Sequence, residues 1–412
     1  MPNKNRFRSV VYVFLFMLLL FGIATVGTFF SDDEISEEEQ RTLAAKPELS
    51  TQAYFSGEYY RQWDDFFADH VPYRNAFLKI SDEIKGLREF KRDANIVEVK
   101  SDIGAAPADG GDYDKQMLVV LKDRLLEVFK YDESVGRYYT DTVNSYAENL
   151  PDGIRLYSML VPMRIEFEEK YNETADSQRE AISKLYGAYS PCVETVDAYS
   201  QLEAHQDEYV YFRTDHHWTA LGAYYGMRAF AEVAGFEPIG LDSYNEFKTS
   251  GYLGYLYRMA PDDSLKRNAD TLSYYMMNNR NNDSTIYYYG DHGEFYSYSA
   301  KMINSDFLGS NIGYGAFLGG DYPMIDVKGD VPGGRVLVVI KDSYGNALVP
   351  WLAPYFDSVI AIDPRTYRED FTQMLTERGV TDLLIIDYMK ATTLPAFIDY
   401  MNAVLTGVAP PA

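Results

Sequence analysis

The chain has 412 residues, 46% of them hydrophobic, enough for one large core or two ordinary ones and too many for a disordered protein. Its 62 acidic and 38 basic residues leave a net charge of −24, and a surface of that sign repels phosphate backbones, which argues against nucleic acid as a partner. The single cysteine, Cys192, cannot close an internal disulfide, so the fold must depend on packing.

The first thirty residues obey a different rule. Basic Lys4, Arg6 and Arg8 precede the uncharged run Val10 to Phe30, whose helix would be about 31 Å long at about 1.5 Å per residue. Such a helix spans a bilayer. Positive charge before it and "SDDEISEEE" after it place the amino terminus in the cytoplasm and the rest outside the cell membrane. A cleaved signal peptide is the rival reading; the run is long for one, and Phe29 and Phe30 stand where a small-residue cleavage site belongs. The expected organisation is a stub and anchor over 1–31, an acidic tether and helical arm over 32–104, and an α/β domain over 105–412.

Between 52 and 92 the apolar spacing predicts two helices with a bend at Val71-Pro72, and "SDIGAAPADGGDYD", 101 to 114, separates this arm from the main body. The body then alternates. "MLVVLKDRLLEVF" begins as a strand, "VGRYYTDTVNSYAENL" is an amphipathic helix, "GIRLYSMLVP" a buried strand, "ADSQREAISKLYGAY" a helix and "VETVDAY" a short strand. Near the far end "RVLVVI", "SVIAID" and "DLLIID" are apolar runs separated by helical patterns, which predicts parallel strands with crossover helices in a doubly wound, three-layer α/β fold. Residues 240–330 break the alternation and are crowded with tyrosine and asparagine, predicting a partly antiparallel insertion.

Two places in this body carry candidate chemistry. In "YVYFRTDHHWTALGAYYG", 209 to 226, an extended segment runs into a helix. In extended chain Asp215 and His217 point the same way, a spacing suited to a carboxylate that orients an imidazole and leaves its far nitrogen free as a base. A structural histidine at a helix start is the alternative. Asp and His also bind metals, but His216 and His217 would project to opposite faces, and His70, His205 and His292 lie in unrelated segments, so no metal or other cofactor is expected. The second place is "RVLVVIKDSYGNALVPWL", where Ser343 follows a buried strand and enters a turn and helix. Open α/β sheets bind ligands at that edge, and the following helix start offers N–H groups for an oxyanion. A serine there can equally be a plain helix cap.

The blocks "TDHHWT" and "KDSYGN" resemble the DHHW family of bacterial exported proteins, itself similar to the SGNH-hydrolase-like domains of alginate-type polysaccharide O-acetyltransferases. The segments "SEEEQRTLAAKPEL", "FFADHVPYRNAF", "MLVPMR", "YGAFLGGDYP" and "VIAIDPRTY" extend the resemblance over nearly the whole chain beyond the apolar run. It implies an SGNH-hydrolase-like fold and a serine esterase-type site with Ser343 as nucleophile, His217 as base and Asp215 as its orienter, in a chain order the acetyltransferases share. The separate Gly and Asn oxyanion blocks of ordinary SGNH enzymes have no match, which leaves Asn346 and Tyr314 as candidates.

The expected protein is a membrane-anchored extracellular O-acyltransferase, acetyl being the expected group, that modifies a cell-surface or secreted polysaccharide through an acyl-serine. A membrane-bound O-acyltransferase would supply the acyl group. The alternatives are an acetyl esterase using the same site and a noncatalytic glycan-binding or envelope-assembly protein. Tyr274, Tyr287 and Tyr289 are candidates for stacking on sugar rings.

Overall fold

A computed structural model describes residues 94–101 and 114–408, apart from positions 172, 279, 291 and 311, together with short pieces of the first seventy residues, chiefly 58–70. The chain divides into two compact units, Met1–Arg92 and Asp93–Ala412. In the first, helix α1 (Glu58–Asp69) lies within the segment expected to form a helical arm; the second expected helix and the apolar run 10–30 lie outside the described residues. Among the described residues no helix is long and apolar enough to cross a membrane.

The second unit opens with an antiparallel sheet, β1 (Asn95–Ser101), β2 (Asp114–Val120) and β3 (Leu125–Glu127). The strands on either side of the Gly/Ala/Asp stretch thus pair with each other, and "MLVVLKDRLLEVF" belongs to this small sheet instead of the main one. Then come α2 (Glu133–Asn149), β4 (Arg155–Val161), α3 (Gln178–Gly187), β5 (Val193–Val196), α4 (Ala198–Ala204) and α5 (Ala220–Ala234). An antiparallel pair comes next, β6 (Asn245–Tyr252) with β7 (Asp270–Met276). The chain continues through β8 (Asp283–Tyr289), β9 (Phe295–Lys301), β10 (Met324–Lys328), β11 (Val336–Lys341), α6 (Tyr344–Leu352), β12 (Ser358–Ile362), α7 (Phe371–Glu377), β13 (Asp382–Tyr388) and α8 (Pro395–Thr406).

Eight strands form the main sheet in the order β9-β8-β10-β12-β11-β13-β4-β5. From β12 to β5 all neighbours are parallel, and β10, β8 and β9 add on antiparallel at one edge. A wholly parallel doubly wound sheet is therefore corrected to a mixed α/β sheet: part of the tyrosine-rich region extends the sheet where an insertion was expected. Edge strands tolerate polar, tyrosine-rich sequence because one face is only half covered, and that concealed them among the apolar core runs. The core strands are sealed on both faces; β11 and β13 are buried at every position. Helices pack in two groups, α4 with α5 and α6, and α2 with α3 and α8.

Candidate active site

Ser343 stands where β11 ends and α6 begins, at the carboxyl rim of the parallel strands. Its position is fixed by the residue before it. The buried Asp342 carboxylate accepts the Tyr344 N–H at 2.8 Å and the Tyr388 N–H at 2.7 Å, tying the turn to the end of β13. The amides of Gly345 and Asn346 are spent on the Asp342 and Ser343 carbonyls. Of the first-turn N–H groups expected to face an oxyanion, that leaves the one on Ser343 itself.

The other half of the site comes from 126 residues away. His217 Nε2 lies 2.7 Å from Ser343 Oγ, and His217 Nδ1 lies 2.6 Å from Asp215 Oδ1. The structure thus brings together the three residues singled out from "TDHHWT" and "KDSYGN" in the order hydroxyl, imidazole, carboxylate. Trp218 joins the two halves, since its indole Nε1 donates to the Tyr344 carbonyl at 3.0 Å. Its ring lies against α5 where Gly226 has no side chain; a methyl there would come within 2.7 Å of the ring.

Backbone geometry at the dyad departs from the extended chain expected. Residues 213–217 are bent, and buried Asp270 holds the bend by accepting the Arg213 and Thr214 N–H groups at 2.8 and 2.7 Å, the Thr214 hydroxyl and the Tyr209 hydroxyl. The bend turns His216 to the same side as its neighbour. Its ring sits 3.8 Å from the His217 ring and its Nδ1 is 3.7 Å from Asp215 Oδ1, so the opposite-face argument against a metal does not hold. Ligand atoms of Asp215, His216 and His217 do lie within 4.8 Å of one another. Those of Asp215 and His217 are committed, however: Asp215 Oδ1 also accepts the His217 N–H, while Oδ2 accepts the Tyr252 hydroxyl at 2.6 Å and the Tyr255 N–H at 2.8 Å. The donor set therefore fits a hydrogen-bonded relay better than a metal, although His216 Nδ1 has no hydrogen-bond partner among the described residues.

Electrostatics follow from burial. Burial by itself would raise the Asp215 pKa, but the His217 charge and hydrogen bond outweigh it and hold this carboxyl well below the usual range, so it is ionised. Burial, then the neighbouring His217, pushes His216 down to about 4, so it stays neutral near pH 7. Burial raises Asp342 to about 7 against its two backbone donors, and burial with the Asp342 charge pushes Asp387 well above its normal range.

Of the oxyanion candidates, Tyr314 stacks its ring on His217 at 3.7 Å, and the Asn346 side-chain amide donates to Asp321 at 2.8 Å. Asp321 also meets the fully buried Lys341 and the partly exposed Arg365, each at 2.8 Å. Tyr314 and Asp321 sit on one loop, 314–323, that turns through a left-handed backbone at Leu318 (φ 61°). The sugar-stacking candidates have other partners. Tyr274 stacks on Phe247, Tyr287 packs on Phe295 and takes a hydrogen bond from Arg378, and Tyr289 takes one from the Arg368 N–H.

Sequence reasoning missed Tyr252, Gly254, Tyr255 and Asp270, which hold the dyad. All four fall in the tyrosine-rich region, and the only signal was a buried-strand aspartate and a glycine between tyrosines.

The profile described as DHHW protein matches residues 94–362. The crystal structure of a DHHW family protein from Eubacterium siraeum is 25% identical with a TM-score of 0.62, covering 72% of this chain and 96% of that one. Bacillus cereus PatB1 with a sulfonyl adduct is 19% identical with a TM-score of 0.55, covering 68% and 98%. The O-acetyltransferase domain of Pseudomonas putida AlgJ is 13% identical with a TM-score of 0.38, covering 68% and 96%. No functionally curated protein matches by sequence.

Proposed function

The chain belongs to the DHHW protein family, and from that premise we propose that it is a serine acyltransferase that moves an acyl group, acetyl by expectation, onto a polysaccharide hydroxyl. One observation carries the reading: contacts of 2.7 and 2.6 Å line up Ser343, His217 and an ionised, buried Asp215 at the rim of the sheet.

In the proposed reaction Ser343 Oγ attacks the ester carbonyl of the donor while His217 Nε2 takes the hydroxyl proton. Asp215 stabilises the imidazolium and fixes its tautomer. The negative oxygen of the tetrahedral species sits at the Ser343 N–H. Collapse breaks the donor's C–O bond, and the leaving alkoxide takes the proton from His217. An acceptor hydroxyl then gives its proton to His217 and attacks the acyl-serine carbonyl. The bond to Ser343 Oγ breaks, and the serine regains the proton.

Anchoring through residues 10–30, with the described domain outside the membrane, and acyl supply by a membrane-bound O-acyltransferase are parts of the same proposal. Both suit a domain whose substrate is extracellular glycan.

A sulfonyl fluoride tests the nucleophile, since PatB1 is described with a sulfonyl adduct. Purified protein should gain the sulfonyl mass on Ser343 and Ser343→Ala should gain none. Well-folded wild type that stays unlabelled would favour a binding protein. Turnover of an acetyl ester that rises with added oligosaccharide, and yields acetylated oligosaccharide, distinguishes transfer from hydrolysis.

A further inference from the structure

We infer that Tyr288, Tyr296, Tyr298 and Tyr322 form the acceptor platform, a stacking surface for a non-anionic polysaccharide chain whose hydroxyl reaches Ser343. This rests on the acyltransfer reading for its purpose, though not for its geometry.

Strands β8 and β9 pair Ile286 with Tyr298 and Tyr288 with Tyr296, which puts the three tyrosines on one face of the hairpin. They are 39%, 49% and 45% exposed, whereas Tyr287 and Phe295 on the other face pack against each other. The exposed rings form one patch: Tyr288 lies 5.9 Å from Tyr296 and 5.7 Å from Tyr298, and the Tyr298 hydroxyl donates to that of Tyr322 at 3.3 Å. Large exposed aromatic surface is costly to leave in water, and ring faces of this kind suit the C–H faces of sugars.

Register places the patch at the catalytic rim. Tyr287 pairs with Met324, Met324 with Ile362, and Ile362 with Ile340, so the level of Tyr287 is three residues short of Ser343 and Tyr288 lies one further along. Strand β8 runs parallel to β11 and is three strands away, about 14 Å at about 4.8 Å per strand, with β9 one strand beyond. A chain lying across the strand ends therefore covers the distance from patch to nucleophile with a few sugar rings. Loop 314–323 is continuous between them. At its start Tyr314 stacks on His217, then Asp321 holds Asn346, and Tyr322 meets Tyr298. The net charge of −24 selects against a polyanionic chain and favours a neutral or amino-sugar one.

The test uses the full chain, with a neutral pentamer of N-acetylglucosamine as probe and a pentamer of mannuronate as the anionic comparison. Titration should show the neutral pentamer binding and the anionic one weaker. The exposed double variant Tyr296→Ala, Tyr298→Ala should bind about tenfold less well, while its sulfonyl fluoride labelling rate at Ser343 stays at the wild-type value. Equal binding by wild type and variant, absence of binding by wild type, or preference for the anionic pentamer would each overturn the platform. Oligosaccharide binding that depends on Tyr296 and Tyr298 in a protein that never labels would keep the platform and remove the acyltransfer reading.

Discussion

Gly254 closes directly over the carboxylate of Asp215: a methyl group at position 254 would sit 2.6 Å from Asp215 Cγ. The contact is tight because the backbone here is itself the ligand of the carboxylate. The Gly254 N–H donates to the Thr214 hydroxyl at 2.9 Å and the Tyr255 N–H to Asp215 Oδ2 at 2.8 Å. Gly254→Ala must push either the loop or the carboxylate away. The expected outcome is a loss of about 1–3 kcal/mol in stability, typical of overpacking, and a labelling rate at Ser343 reduced about a hundredfold. Urea denaturation and timed labelling by mass spectrometry measure the two effects in one preparation.

Removing charge from the same carboxylate without adding bulk separates orientation from packing. Asp215→Asn can still accept bonds on its oxygen, but its amide faces groups that also donate and it no longer stabilises the imidazolium. Labelling should slow by about 10³ to 10⁴ with the fold retained. Tyr252→Phe is milder because the Tyr255 N–H still holds Oδ2. It removes one hydrogen bond to a charged group, and a stability loss of about 1.5–3 kcal/mol with a labelling rate about tenfold lower is expected. An equal effect of the two variants would show that charge on Asp215 is immaterial.

How much of this was legible beforehand depended on whether a feature is local. Strands β4, β11, β12 and β13 are continuous apolar runs because both faces are covered, so the sequence marks them directly. Ser343, His217 and Asp215 were visible because each sits at a strand end or helix start within a short motif. The three-stranded sheet of β1 to β3 was not, since its pairing depends on a hairpin across a stretch that reads as a linker. Neither was the side taken by His216. That is set by Asp270, 54 residues further on, whose carboxylate gathers the amides of Arg213 and Thr214 and bends the chain. Alternation of side chains is a property of straight strands, and a remote acceptor removed the straightness.

His216 makes the site sensitive to acid. Its ring lies tilted against that of His217 and faces Asp215, Glu127 and Arg258, and burial and the neighbouring imidazole lower its pKa from 6.5 to about 4. A depressed pKa means that between those values the unfolded chain binds the proton that the folded one refuses, so stability falls as pH drops from 6.5 towards 4. The full effect is roughly 3 kcal/mol at about 1.4 kcal/mol per unit. His216→Gln carries no titrating group and should show a shallower decline over that window. Urea denaturation at pH 7 and pH 4.5 gives the comparison, and parallel slopes for the two proteins would refute it.

Asp342 and Asp387 produce the opposite slope. Tyr388 follows Asp387 and donates its N–H to Asp342, so the two carboxyls are held at one strand end in the core, where Asp387 also accepts the Tyr139 hydroxyl at 2.7 Å. Burial raises Asp342 from 3.8 to about 7, and burial with the Asp342 charge raises Asp387 further. Raised folded-state values mean that the native protein keeps protons the unfolded chain has released, so this contribution is present below pH 4 and is lost as pH rises through 7. Replacing Asp387 with asparagine leaves an acceptor for Tyr139 and removes the repulsion, allowing Asp342 to ionise at lower cost. Asp387→Asn should therefore be more stable than wild type at pH 8, by roughly 1–3 kcal/mol, and differ little at pH 4.5. A variant less stable at pH 8 than at pH 4.5, relative to wild type, would mean that the pair does not share its charge as the geometry indicates.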